Sequence, residues 1–153
     1  MNPLTLRQQF LALERGDRVD HRRVEEVFDA CGPVEYDLLM GAWRGTPFRT
    51  GHTAVAQLDT MNWYGKSFRS RWDVSPVTTR DGTGKVEESA EYGGAGLWRV
   101  EFRGVVSAAM VYDRLPVVDH FRRLDDDTLI GAMDGGPDIL DDGRHLYFSL
   151  RRE

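Results

Sequence analysis

The sequence predicts a mainly β fold: a closed antiparallel β-barrel of about 8–10 strands with one or two short N-terminal helices. Three observations carry that expectation. Apolar residues recur at helical spacing only between Thr5 and Gly32, and from Tyr36 onward the apolar period is 2. Turn sequences separate the later runs: Thr50-Gly51, Asp81-Gly82-Thr83-Gly84, Gly93-Gly94, Asp134-Gly135-Gly136-Pro137 and Asp141-Asp142-Gly143. Almost no helical pattern stands between them, and parallel strands would need crossover helices there. A long antiparallel sheet has edges to protect, and closing on itself removes them. A barrel of this strand number can hold one small ligand.

The elements follow in order. Thr5 precedes Leu6, Phe10 and Leu13, with Gln8 three residues on, which is a capping box leading into an apolar stripe. Gly16 can stop that helix. Asp20 opens a second helix, with Val24, Val27 and Phe28 at helical spacing and Gly32-Pro33 beyond its end. Residues 1–33 are expected to form a helical head and residues 36–153 the barrel, within one domain spanning 1–153. Strand alternation is clearest at Trp98, Val100 and Phe102 and again at Leu146, Phe148 and Leu150. Residues 104–112 are apolar on both faces: Val106, Ala108, Met110 and Tyr112 on one, Val105, Ala109 and Val111 on the other. One face is expected to look into the cavity and the other to pack against the helical head.

Composition excludes several function classes. The chain has 153 residues, 41 % hydrophobic and 29 % charged, which suits one globular domain. Its net charge is −5, and its basic residues cluster no further than the pairs Arg22-Arg23, Arg122-Arg123 and Arg151-Arg152, so no nucleic-acid partner is expected. The longest largely apolar stretch, 104–112, falls far short of the ~20 residues a membrane helix needs, so no membrane span is expected. The first residues, Met1-Asn2-Pro3-Leu4-Thr5-Leu6-Arg7, lack the pattern of a secretory signal, and a single cysteine, Cys31, permits no internal disulfide. A cytoplasmic location fits both features. The preference for arginine over lysine reads as the coding bias of a GC-rich bacterium.

The densest polar group is Tyr112, Asp113, Asp119 and His120, flanking the connection Arg114-Leu115-Pro116. A histidine beside a carboxylate is a base held in one tautomer, and Tyr112 could donate to a carbonyl or enolate oxygen, so these four are the candidate catalytic set. A structural network at a strand end is the competing reading. Lys66 lies within the strand pattern Trp63-Tyr64-Gly65-Lys66-Ser67-Phe68. Pointing inward it could bind a ligand carboxylate; pointing outward it would protect a sheet edge. Trp43, Trp63, Lys66, Met110, Tyr112 and His120 are the candidate ligand-binding residues, with Met133 as a further adaptable wall. His52 can reach the barrel mouth or sit in a solvated turn. Four separate histidines without metal-ligand spacing give no metal site, and no cofactor is expected; if heme were bound, His145 would be its candidate axial ligand.

Leu39-Met40-Gly41-Ala42-Trp43-Arg44-Gly45 marks the start of the barrel. With it go Thr50-Gly51-His52, Trp63-Tyr64-Gly65-Lys66-Ser67-Phe68, Arg103-Gly104-Val105-Val106-Ser107-Ala108-Ala109-Met110-Val111-Tyr112-Asp113, Pro116-Val117-Val118-Asp119-His120-Phe121, Gly131-Ala132-Met133-Asp134 and Tyr147-Phe148-Ser149-Leu150-Arg151. In these pieces the chain resembles the small bacterial proteins named after the GXWXG motif, together with the uncharacterised domain that commonly follows it. The resemblance runs from Leu39 to the end. It implies a branch of the calycin-type barrels, alongside lipocalins and fatty-acid-binding proteins, with a small apolar ligand inside. It also implies that Trp43 closes one end, with Arg151 or Arg152 packed over it. The sequence departs from the heme-binding nitrobindin pattern at Thr46-Pro47-Phe48.

Three functional expectations result. The first is a carrier of a small apolar or amphipathic molecule under an N-terminal helical lid. The second is a cofactor-free isomerase, cyclase or dehydratase using Tyr112, Asp113, Asp119 and His120. The third is a heme barrel. A homodimer is left open as the oligomeric state.

Overall fold

A computed structural model describes residues 3–153; Met1 and Asn2, at the start of the expected head, lie outside the described residues. Two helices, α1 (Leu6–Arg15) and α2 (His21–Ala30), lead into a single helical turn, α3 (Tyr36–Leu39). Nine strands follow, interrupted by one more helix: β1 (Gly41–Pro47), α4 (Ala54–Thr60), β2 (Trp63–Ser70), β3 (Asp73–Arg80), β4 (Val86–Glu88), β5 (Ala95–Phe102), β6 (Val105–Tyr112), β7 (Val117–Asp125), β8 (Thr128–Gly135) and β9 (Leu146–Arg152).

Every pairing is antiparallel, and β2 pairs with β3 as well as with β1. That pairing closes β1-β2-β3-β5-β6-β7-β8-β9 into a ring, with β4 appended to the upper half of β3. The ring has one slender seam. β3 and β5 share a single registered pair, Val74 with Ala95. Arg71, in the turn before β3, adds two bonds there: its carbonyl accepts from Leu97 N–H at 2.9 Å and its Nε donates to Leu97 O at 2.9 Å. Its guanidinium is braced over the rings of Trp72 at 4.3 Å and Tyr36 at 4.8 Å.

The sequence explains the head. Thr5 Oγ1 accepts from Gln8 N–H at 3.1 Å while Gln8 Oε1 accepts from Thr5 N–H at 2.9 Å, so the predicted capping box is formed. Asp20 caps α2 through Arg22 N–H. Gly16 ends α1 in an extended conformation, not the left-handed one; a Cβ there would meet Val19 at 2.4 Å, so space is what requires the glycine. The apolar stripes Phe10, Val24, Val27 and Phe28 pack on Ile130, Ala132 and Tyr147. Those three residues face away from the barrel axis. The helical head therefore covers the outer wall, which corrects the expectation that it forms a lid. Strand alternation is the cause: Ile130, Ala132, Tyr147 and Ser149 are buried although Leu129, Phe148 and Leu150 already fill the inside, so the wall must be sealed from both sides.

Arg122 fastens the head to the wall. It is 1 % exposed and projects outward from β7 into the C-terminal end of α2. Nη1 donates to the carbonyls of Phe28, Asp29 and Cys31 at 3.1–3.3 Å, and Nη2 to Phe102 O at 3.1 Å. A cation at the negative end of a helix, satisfying its last carbonyls, is favourable on both counts. Burial pulls its pKa down, with Asp29 opposing.

The lower end closes as the resemblance implied. Trp43 is 1 % exposed and donates from Nε1 to Leu39 O at 2.7 Å. Arg152 lies over its ring at 4.2 Å and donates to Leu38 O and Met40 O. Arg151 alternates outward and pairs with Glu14 of α1. Above Trp43 the interior is solid with Phe68, Met110, Phe121, Leu129, Phe148 and Leu150. Two strand glycines make room: a Cβ on Gly65 would lie 1.8 Å from Trp43 O, and one on Gly131 2.2 Å from the Phe148 ring.

Arg122→Met should leave the α2 carbonyls unpaired and cost about 2–4 kcal/mol of stability, read as a lowered urea midpoint. Gly65→Ala should be at least as damaging, because the β1 backbone has nowhere to move.

Candidate functional site

The upper end of the barrel is open space. A cavity of about 330 Å³ lies there, walled by the inward residues Val77, Tyr112, Val117, Met133 and Leu146. Its roof is α4, through Gln57 and Leu58, with Met61 just past its end and Ile139 of the β8–β9 connection. The sequence reading contains no helix here, although Val55 and Leu58 three residues apart are its signal. Val55 is its one buried residue, and it is tied down from outside by Arg49–Asp59 at 2.9 Å and by His52. His52 Nδ1 accepts from Ala54 N–H at 3.0 Å, and its Nε2 lies 3.1 Å from Arg144 O. Of the two readings of His52, the buried one at the mouth holds.

Beneath the cavity sits a buried polar triad. Lys66 Nζ and Asp119 Oδ2 are 2.8 Å apart, with side chains 3 % and 2 % exposed. Tyr112 Oη is 3.4 Å from Asp119 Oδ2 and 3.5 Å from Lys66 Nζ. Lys66 Nζ also donates to Pro76 O at 2.9 Å and lies 5.0 Å from the centre of the Phe148 ring. Asp119 Oδ1 is buried and accepts no hydrogen bond. Burial, then the Asp119 charge, raises the Tyr112 pKa well above its ordinary value of 10.0. The phenol therefore keeps its proton at neutral pH and has an O–H to donate.

The candidate residues are distributed as follows. Tyr112 and Asp119 meet inside the barrel, and Lys66 joins them; its charge is taken up by Asp119. Tyr112 is the one of the six candidate ligand-binding residues on the cavity wall. Trp43 and Met110 are in the packed core, and Trp63 is packed against it. Asp113 is exposed in the β6–β7 turn. His120 does not share the mouth with Tyr112. It follows Asp119 in β7, and successive strand residues face opposite ways, so an inward Asp119 forces His120 outward.

Outside the wall His120 joins a second polar group. Its ring stacks on Phe102 at 3.9 Å, and its Nε2 lies 3.0 Å from Asp134 Oδ2. His145 Nε2 lies 3.2 Å from Asp134 Oδ1, and His21 packs on Tyr147 at 5.5 Å. His145 is thus on the outer wall, and both ring nitrogens of His52 are engaged, so neither is free to ligate a heme iron in the cavity. Among the described residues no group of His, Cys, Asp or Glu is arranged to hold a metal ion. Burial pushes the Cys31 thiol up to about 11, which makes it inert packing.

Comparison with known proteins adds the following. The family model described as "GXWXG protein" matches residues 26–84, and that described as "Domain of unknown function (DUF4334)" matches residues 93–152. A crystal structure of a protein from Thermomonospora curvata is 40% identical, with a TM-score of 0.86 over 97% of this chain and 98% of that one. No curated protein matches the chain.

The histidines fix a pH dependence. Burial lowers the pKa of His21, His52 and His120 from the ordinary 6.5. The unfolded chain thus takes up protons at a pH where the folded one resists them. Stability is full above about pH 6.5 and falls as the pH drops through the lowered native values. Urea midpoints should decrease from pH 7.5 to pH 5, and His120→Gln should flatten that slope.

Proposed function

We propose that this chain, which belongs to the family joining a GXWXG segment to a DUF4334 domain, takes up a small apolar or amphipathic molecule in the mouth of its barrel. One observation carries the reading: an apolar cavity of about 330 Å³ whose wall includes Tyr112, the outermost member of an otherwise sealed polar triad. Largely apolar walls with a few polar groups, Tyr112 among them, suit a compact ligand that is held by burial and oriented by a hydrogen bond. The roof supplies the route in. α4 buries one side chain, so little apolar packing holds it, and it is the element whose displacement would open the cavity. A reducing cytoplasm is the compartment that fits the single buried Cys31.

A second reading is favoured by the triad itself: cofactor-free proton transfer. The acid–base set is then Tyr112, Asp119 and Lys66, with Asp113 and His120 too far out to take part. Tyr112 donates its O–H to a substrate carbonyl oxygen, and the unpartnered Oδ1 of Asp119 accepts the proton from the adjacent carbon. Lys66 balances the carboxylate before transfer and stabilises the enolate oxygen after it.

Uptake is tested with the neutral dye N-phenyl-1-naphthylamine. Its fluorescence should rise with wild-type protein and with Trp72→Ala, whose change lies on the outer surface. Met133→Trp, which fills the cavity, should abolish the rise; a wild-type protein that leaves the dye dark excludes the carrier reading. Proton transfer is tested by NMR exchange of the α-protons of 2-decanone in D₂O. Wild type should accelerate it and Asp119→Asn should not, while equal rates with and without protein would remove the second reading.

A further inference from the structure

The chemical class of the ligand can be read from the hydrogen-bond inventory of the triad. Lys66 has three N–H donors and three acceptors around them: Asp119 Oδ2 at 2.8 Å, Pro76 O at 2.9 Å and Tyr112 Oη at 3.5 Å. No donor is left for a carboxylate, and the Lys66 charge is already balanced by Asp119. An anionic head group arriving here would confront the Asp119 carboxylate across the buried ammonium. Separating that pair would strand one charge in an aromatic enclosure. The expectation that an inward Lys66 binds a ligand carboxylate is therefore corrected by its partner.

What the triad lacks is a donor. Asp119 is 1 % exposed, yet its Oδ1 accepts nothing, and a buried carboxylate oxygen left unpaired is costly. Tyr112 lines the cavity and its hydroxyl touches that carboxylate at 3.4 Å, so it marks where a ligand oxygen would meet the triad. Its hydroxyl is held by two long contacts, so it can turn to an incoming oxygen without breaking a strong bond.

Resting on the carrier reading above, we propose that the barrel selects a neutral hydroxyl-bearing amphiphile over a fatty acid. The ligand hydroxyl donates to Asp119 Oδ1 and accepts from Tyr112, and its apolar body fills the space between Val117, Met133 and Leu146. A ketone keeps the second bond and loses the first, so it ranks between alcohol and carboxylate.

The test is calorimetric titration at pH 7.5 with three probes of one chain length: 1-decanol, 2-decanone and decanoate. The wild type should bind decanol about tenfold or more tighter than decanoate, with decanone between them, since a stranded charge or unmade buried bond costs that much. Asp119→Asn leaves Lys66 without a counter-charge and should reverse the order, decanoate then binding tighter. Tyr112→Phe should weaken decanol severalfold. If Asp119→Asn does not fold, the wild-type ranking decides alone. Decanoate binding as tightly as decanol overturns the proposal while leaving the carrier reading intact. Uptake of the naphthylamine dye without binding of decanol also overturns it. Failure of dye and all three probes removes both.

Discussion

Full charges are tolerated inside a protein only in company, and the interior of this barrel is arranged around one such pair. Lys66 and Asp119 come from opposite sides of the ring, β2 and β7, and meet where both are all but sealed from water. Desolvating two ions costs several kcal/mol each, and their attraction restores this only with good geometry and further hydrogen bonds. Both conditions are met on the lysine side, which has the Pro76 carbonyl, the Tyr112 oxygen and the face of Phe148 about it. The aspartate side is incomplete. The barrel is consequently graded along its axis: a tryptophan plug at the base, packed aromatics above it, a polar waist, and an apolar mouth.

The same strand that contributes Asp119 builds a different environment on its other face. Asp119 and Phe121 point in, and His120 and Arg122 point out. Arg122 needs the carbonyl end of α2, and His120 needs Asp134 and the ring of Phe102. The helical head covers Arg122 directly, and Phe102, packed on Phe28 of the head, covers His120. A β-strand has only two sides, and here each carries its own buried polar system, so β7 is constrained more tightly than a strand with one wet face.

Much of this was legible in the sequence. The capping box at Thr5, the cap at Asp20, the antiparallel ring and its strand number follow from spacing and turn chemistry. The plug of Trp43 under Arg152 followed from the resemblance. The sequence singles out Tyr112 and Asp119, and they do meet. Other features escaped for identifiable reasons. Grouping His120 with Asp119 ignored the alternation that separates adjacent strand residues. The row Trp98, Val100, Phe102 reads as an inner face, yet Trp98 is 50% exposed and Leu97 points in, because apolar residues on a strand do not declare which side is the core. Roof helix α4 is seven residues long, too short for its period to stand out from the loops beside it. The pairing of Lys66 with Asp119 joins residues far apart in the chain, and nothing local encodes it.

The seam between β3 and β5 has a bearing on how this chain is to be divided. The two family segments meet in the stretch 85–92, and the first holds β1 to β3 while the second holds β5 to β9. Neither is a domain in the physical sense. Apart, each would be a curved open sheet with two raw margins, and Lys66 would be in one piece and Asp119 in the other. Only the union of β1 with β9 and of β3 with β5 makes a tube. The boundary nonetheless falls where the weave is loosest, at one registered pair and an arginine brace. What two sequence signatures describe is one object cut lengthwise, and its natural break point lies along that stitch.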